Sequence, residues 1–330
     1  MTRTFGNQES CAACDPTVAA CRLSLILLTH ILMTVPFVLS AYPLAAQTNR
    51  TASAQKPLPP PVLAAQESAV VPFRLIDGWA IVLEGTLGGI PHCKMMIDTG
   101  AVPSVINSKF VKRLGLAGSF EKLSTFNRSV DAQRLHVPEV RIGVVSVEVL
   151  DMLAVDLARI EQRLNTHIDA VIGLDFLATR NFRLDYRHKK LVFNDKDEVD
   201  GASAIAFEIR HEARGTYVLI PLKSGSQQLQ ILLDTGANNL TLFDRRLGEM
   251  RQRLRAVGKD VDVSAGGQDT VVAVEMDSVS VGPIFRGKQK AFVLTTSEED
   301  IRDFDGVLGP AAFGVSTVAF DFDRHMVFFL

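Results

Sequence analysis

Aromatic hydroxyls and disulfide partners are scarce in this chain. It has one tryptophan, three tyrosines and four cysteines in 330 residues, and Cys11, Cys14 and Cys21 all precede an apolar run. If that run is an export signal, Cys93 stands alone afterwards and no intramolecular disulfide can staple the mature chain. The Cys11-x-x-Cys14 pair has no second pair to complete a metal or redox site and reads as incidental. Charge of one sign is lacking too. With 35 Lys plus Arg against 37 Asp plus Glu there is no basic stripe, which disfavours nucleic acid as a partner. The seven histidines show no His-Glu-x-x-His or other ligand spacing. A Gly-x-Ser-x-Gly elbow and a phosphate-binding glycine loop are also missing. Metal, serine and nucleotide chemistry are therefore disfavoured, and no metal or cofactor is expected.

What is present at the start is the apolar stretch 23–41, preceded by Arg22 and followed by the small-residue segment Pro43-Leu-Ala-Ala-Gln47, the layout of a secretory signal. It is also long enough to cross a bilayer, so an uncleaved single-span anchor is the rival reading. Either way the expected location is exported, periplasmic or extracellular, with a possible membrane tether through residues 23–41. Residues 47–69, with Pro57, Pro59, Pro60 and Pro61 among Ala, Gln and Ser, cannot bury a core and read as an extended linker. The expected organisation is 1–46 signal or anchor, 47–69 linker, and two lobes over 70–200 and 201–330.

Those two lobes are visible as a repeat. Asp-Thr-Gly-Ala occurs at Asp98 to Ala101 and again at Asp234 to Ala237, each time behind an apolar run. Asp169, in Asp169-Ala-Val-Ile-Gly173, lies 71 residues after Asp98, and Asp305, in Asp305-Gly-Val-Leu-Gly309, lies 71 after Asp234. Asp185 and Asp321 keep step at 87 residues after each. One unit has been duplicated.

Each half reads mainly as strand. Residues 79–87, 93–98, 137–143 and 191–193 are short alternating or β-branched runs punctuated by Gly and Pro, and 217–222, 229–234, 271–276 and 326–330 repeat the theme. A short helix is expected after each tetrapeptide, over 108–114 and over 244–254, where Leu247, Met250 and Leu254 are spaced for one face. The fold class is all-β with short helices, in two lobes about a pseudo-two-fold axis.

Packing two such halves about that axis brings equivalent residues near it together, so Asp98 and Asp234 would meet. Two carboxyls in contact cannot both ionise comfortably; one keeps a proton while the other is charged, and the pair can then act as base and acid in turn. Asp169, Asp185, Asp305 and Asp321 read as turn or strand-end residues, since the pair already supplies both roles. Glycine after Thr permits a tight turn and close approach.

These motifs resemble those of the aspartic proteases of the retropepsin and pepsin group. Met95-Met96-Ile97-Asp98-Thr99-Gly100-Ala101 and Ile231-Leu232-Leu233-Asp234-Thr235-Gly236-Ala237 are similar to the family's signature, and Val171-Ile172-Gly173 and Val307-Leu308-Gly309 to its later apolar-apolar-Gly element. The resemblance implies an aspartic endopeptidase acting on protein or peptide substrates, with Asp98 and Asp234 activating water. Thr99 and Thr235 would hydrogen-bond across the lobe junction, and Gly100 and Gly236 would offer N–H groups to the carboxyls. It implies a single-chain, two-lobed enzyme, so a monomer with an internal pseudo-dimer is favoured over a homodimer.

The sequence departs from pepsin in two ways. Ala101 and Ala237 stand where pepsin-like enzymes carry a hydroxyl donor, which should raise the carboxyl pKa values and move the optimum to less acidic pH. No tyrosine lies between either Asp-Thr-Gly and its later Gly element. A flap tip is instead expected at Gly266 and Gly267, between the strand-like runs of 261–272. The counterpart at 126–136 has no glycine, so two equal flaps are not expected. Val102, Val105, Ile106, Leu240 and Leu242 are either hydrophobic subsites or plain core. Two other readings stay open, an inactive peptide-binding protein of the same fold and an obligate homo-oligomer pairing its halves between chains.

Overall fold

The computed structural model describes residues 69–124, 129–194, 201–212, 215–264, 267–296 and 303–330. The segment 23–41 and the linker to residue 68 lie outside the described residues. Among the described residues, no helix is long and apolar enough to cross a membrane.

In the first half, β1 (Ala69–Pro72) is followed by β2 (Arg74–Ile76), β3 (Ala80–Leu87), β4 (Ile90–Ile97), β5 (Val105–Asn107), β6 (Ser119–Ser124), β7 (Ser129–Ile142), β8 (Val145–Val155), β9 (Ala170–Ile172), β10 (Phe182–Asp185) and β11 (Lys190–Phe193). The second half carries β12 (Ser203–Ala206), β13 (Glu208–Glu212), β14 (Gly215–Ser224), β15 (Gln227–Leu233), β16 (Leu240–Phe243), β17 (Arg255–Ser264), β18 (Gly267–Val281), β19 (Ile284–Leu294), β20 (Gly306–Leu308), β21 (Thr317–Asp321) and β22 (Met326–Phe329).

The repeat becomes two eight-stranded sheets of identical order, β2-β3-β4-β9-β5-β8-β7-β6 and β13-β14-β15-β20-β16-β19-β18-β17. A six-stranded sheet joins them, ordered β1-β11-β10-β21-β22-β12, so that its left and right halves are counterparts. At its centre β10 pairs antiparallel with β21, with Phe182 opposite Phe320 and the rings stacked at 4.7 Å. One chain thus supplies both sides of the pseudo-two-fold.

The run before each tetrapeptide is continuously apolar because both faces of its strand are covered. Met95 and Ile97 of β4 enter the main core while Met96 enters a side cluster with Val105 and Val171. Likewise Ile231 and Leu233 of β15 enter the main core, and Leu232 joins Phe292 and Val307. The aspartates at 71 residues lock the next strand in register. Asp169 Oδ2 accepts the Lys94 N–H and Asp305 Oδ2 accepts the Gln230 N–H, both at 2.8 Å. Asp185 and Asp321 cap turns, accepting the N–H of His188 at 2.8 Å and of Arg324 at 2.9 Å.

The helix expected over 108–114 forms as α1 (Ser108–Leu114), with Asn107 accepting the Lys109 N–H and Gly115 closing it at φ 63°. The one expected over 244–254 does not. The chain instead makes two 3-10 turns, Asp244–Arg246 and Gly248–Arg253. Gly248 sits at φ 49°, a left-handed value that no α-helix continues through, so the leucine spacing there serves turns. Two further short helices, α2 (Ala158–Leu164) and α3 (Leu174–Leu177), were not anticipated.

Candidate active site

Asp98 and Asp234 each follow an inner strand of their own sheet, β4 and β15. β9 and β20 run parallel to β4 and β15, and the backbone N–H of each aspartate donates to that neighbour, Asp98 to Ile172 O and Asp234 to Leu308 O, both at 3.0 Å. The turn that follows folds back on the carboxyl. Gly100 N–H donates to Asp98 Oδ1 at 2.8 Å and Gly236 N–H to Asp234 Oδ1 at 2.7 Å.

The two turns meet through their threonines and glycines. Thr99 and Thr235 are buried, and each backbone N–H donates to the other's hydroxyl oxygen at 3.0 Å. The Thr99 hydroxyl donates onward to Leu233 O at 2.8 Å, and that of Thr235 to Ile97 O at 3.3 Å. Glycine is required where the loops cross. A Cβ on Gly100 would stand 2.5 Å from Asp234 Cγ, and one on Gly236 would stand 2.3 Å from Asp98 Cγ. Each glycine therefore packs on the opposite carboxyl.

The carboxyls of Asp98 and Asp234 stand next to each other where the loops cross, placed to share a hydrogen bond when one of them carries a proton. Burial pushes both above the ordinary carboxylate range, Asp234 further because the Asp98 charge adds to the burial. The N–H groups of Gly100 and Ala101 oppose the rise on Asp98, and those of Gly236 and Gly100 oppose it on Asp234. With both carboxyls raised, the two titrate as a pair.

A cavity of about 400 Å³ opens over the pair. On the first-lobe side it is walled by Trp79, Met96, Val105, Leu157, Ile160 and Leu164, and on the second by Tyr217, Phe292, Leu294 and Val307. Of the apolar neighbours singled out from sequence, Val102 and Val105 line it; Ile106, Leu240 and Leu242 are fully buried core. Trp79, read from sequence only as the start of a strand, is the notable wall residue. Its Nε1 is buried with no hydrogen-bond partner among the described residues.

Both lobes carry a hairpin at the flap position, β6 with β7 and β17 with β18. The missing glycine in the first half does not prevent the first of these. Hairpin formation there follows from long paired strands, not from the tip residue. The two are unequal at the cavity, however: β17 lines it with Asp260 to Ser264 and β6 with Leu123. Gly267 opens β18 at φ 138°, and Gly266 lies outside the described residues. Among the described residues no group of three or more His, Cys, Asp or Glu could hold a metal ion.

A further polar cluster, Ser104 with Asp175, was missed. The available signal was asymmetric: Gly173-Leu-Asp175 in the first half faces Gly309-Pro-Ala311 in the second.

Residues 83–176 match the family described as aspartyl protease, a span running from β3 through the Asp98 turn to α3. No curated protein matches the chain. The match and the all-β fold together place the chain's likeness with the aspartic proteases and support a protease-like function, peptide hydrolysis in general.

Proposed function

We propose that the chain is an aspartic endopeptidase that hydrolyses peptide bonds with water activated by Asp98 and Asp234 at the lobe junction. The observation that carries this reading is the pair of neighbouring carboxyls at the floor of the cavity. Charged Asp98 takes a proton from water as its oxygen attacks the carbonyl carbon, and Asp234 gives its proton to the carbonyl oxygen. The gem-diol collapses when the nitrogen leaves with the proton that Asp98 took up and Asp234 takes back a proton from one hydroxyl, which gives the carboxylic acid and the amine and restores the pair. The threonine exchange and the paired glycines support the geometry, because they fix both carboxyls before substrate arrives.

A cleft between two β lobes suits an extended polypeptide, its backbone paired along strand edges and its side chains in alternate pockets. The apolar walls on both sides of the carboxyls favour hydrophobic side chains there. The reach of β17 into the cavity supports a covering role for the second hairpin. One chain acts alone in this reading, exported or tethered by residues 23–41. Exposure of the full chain to an unbiased peptide mixture, with Asp98→Asn and Asp234→Asn as controls, tests it; cleavage by the parent and not by the variants is expected.

A further inference from the structure

The duplicated site loses its symmetry just behind the carboxyls. Ser104 is fully buried and ends the loop that Asp98 begins. Its N–H donates to Asp175 Oδ2 at 2.7 Å, its hydroxyl donates to Asp175 Oδ1 at 2.5 Å, and the same hydroxyl accepts the Gly173 N–H at 2.8 Å. Asp175 Oδ1 also accepts the Phe176 N–H at 3.0 Å. Gly173 has no room to give, since a Cβ there would lie 1.8 Å from Ala101 O. The loop 98–104 is thereby fastened at its start by Asp98 N–H to Ile172 O, in its middle against Gly173, and at its end by Ser104 to Asp175.

The second lobe shares the first two fastenings, Asp234 N–H to Leu308 O at 3.0 Å and Gly309 against Ala237 O, and lacks the third. At the matching places stand Leu240 and Ala311, and the end of the loop is held by a backbone bond, Gly309 N–H to Asn239 O at 2.8 Å. The donors to the carboxyls differ in parallel. Ala101 and Ala237 N–H each donate to the backbone oxygen of their own aspartate at 3.2 Å, and Ala101 N–H in addition reaches Asp98 Oδ1 at 3.1 Å.

Building on the peptidase reading, we propose that Asp175, acting through Ser104, is a positioning residue for Asp98: by fastening the end of the loop 98–104 it holds the Ala101 N–H on that carboxyl. Both oxygens of Asp175 accept, and an amide in its place keeps one acceptor fewer. The titratable group that bears on Asp98 is Asp234 from the facing loop; Asp175 itself meets Ser104 and the Phe176 N–H.

The test is carboxyl ¹³C NMR of the full chain labelled at aspartate, comparing the parent with Ser104→Ala and Asp175→Asn. The Asp98 signal is assigned from Asp98→Asn, and Ile142→Val serves as a first-lobe core variant away from the loop. The Asp98 midpoint should rise by roughly half a pH unit, about threefold in proton affinity, in both loop variants and stay put in Ile142→Val. In the cleavage assay the acid limb should move with it, with kcat falling and KM within about twofold. An unchanged Asp98 titration in variants that merely melt earlier overturns the proposal, and Ser104→Ala decides alone if Asp175→Asn does not fold. The titration is read whether or not the chain cuts peptides. A parent inert on peptides therefore counts against the peptidase reading and not against the clamp.

Discussion

Thr99 and Thr235, 136 positions apart in the chain, exchange hydrogen bonds at 3.0 Å in both directions between backbone N–H and side-chain oxygen. Removing either hydroxyl strands two buried backbone groups. Thr99→Ala leaves the Thr235 N–H and Leu233 O without their partner, at a cost of roughly 2–4 kcal/mol. Urea unfolding of Thr99→Ala and Thr235→Ala should show that loss, and activity should fall further than stability because the carboxyls no longer share a fixed frame.

Gly100→Ala and Gly236→Ala should lose about 10²-fold or more in activity, because the added methyl meets the opposite carboxyl at 2.5 and 2.3 Å. Cleavage assays beside circular dichroism distinguish this from unfolding; the strand signal should persist.

Ala101→Ser or Ala237→Ser introduces a hydroxyl next to the pair. A donor to the charged form lowers its pKa, so the acid limb of the pH-rate profile should move down by roughly one unit, the worth of one charge-assisted hydrogen bond. A profile that stays in place would show that the hydroxyl does not reach the carboxyls.

Burial raises both aspartates above their unfolded values, so the folded chain holds a proton that the unfolded chain has lost. That contribution to stability is full below the ordinary carboxylate range and is lost as pH rises through the folded values. Asp234→Asn keeps the shape of the protonated group without this pH dependence. It should melt above the parent at neutral pH, by ~2–4 °C for each kcal/mol recovered, and level with it near about pH 3. Melting curves at the two pH values check the sign.

The carboxyl pair was legible in the sequence because duplication writes the same tetrapeptide and the same later aspartates at equal intervals, and the architecture turns equal intervals into equivalent places. The all-β character followed from alternation. Other features were hidden for identifiable reasons. The 244–254 segment carries helical leucine spacing, and the left-handed backbone at Gly248 overrides it. How far each hairpin reaches over the cavity is not written in its glycine content, since β6 and β7 pair over six positions without a glycine. Ser104 and Asp175 lie 71 residues apart and touch because β9 threads between β4 and β5, and no counterpart in the second half flags them. Ile106, Leu240 and Leu242 could not be told from subsite residues, since core and cleft walls draw on the same side chains.

The most direct measurement is the rate of peptide cleavage by the full chain beside its Asp98→Asn and Asp234→Asn variants. With one proton shared between the two carboxyls as base and acid, each substitution should reduce the rate by at least about 10²–10⁴-fold while leaving the fold intact. Either variant cutting peptides at the parent rate would contradict the account.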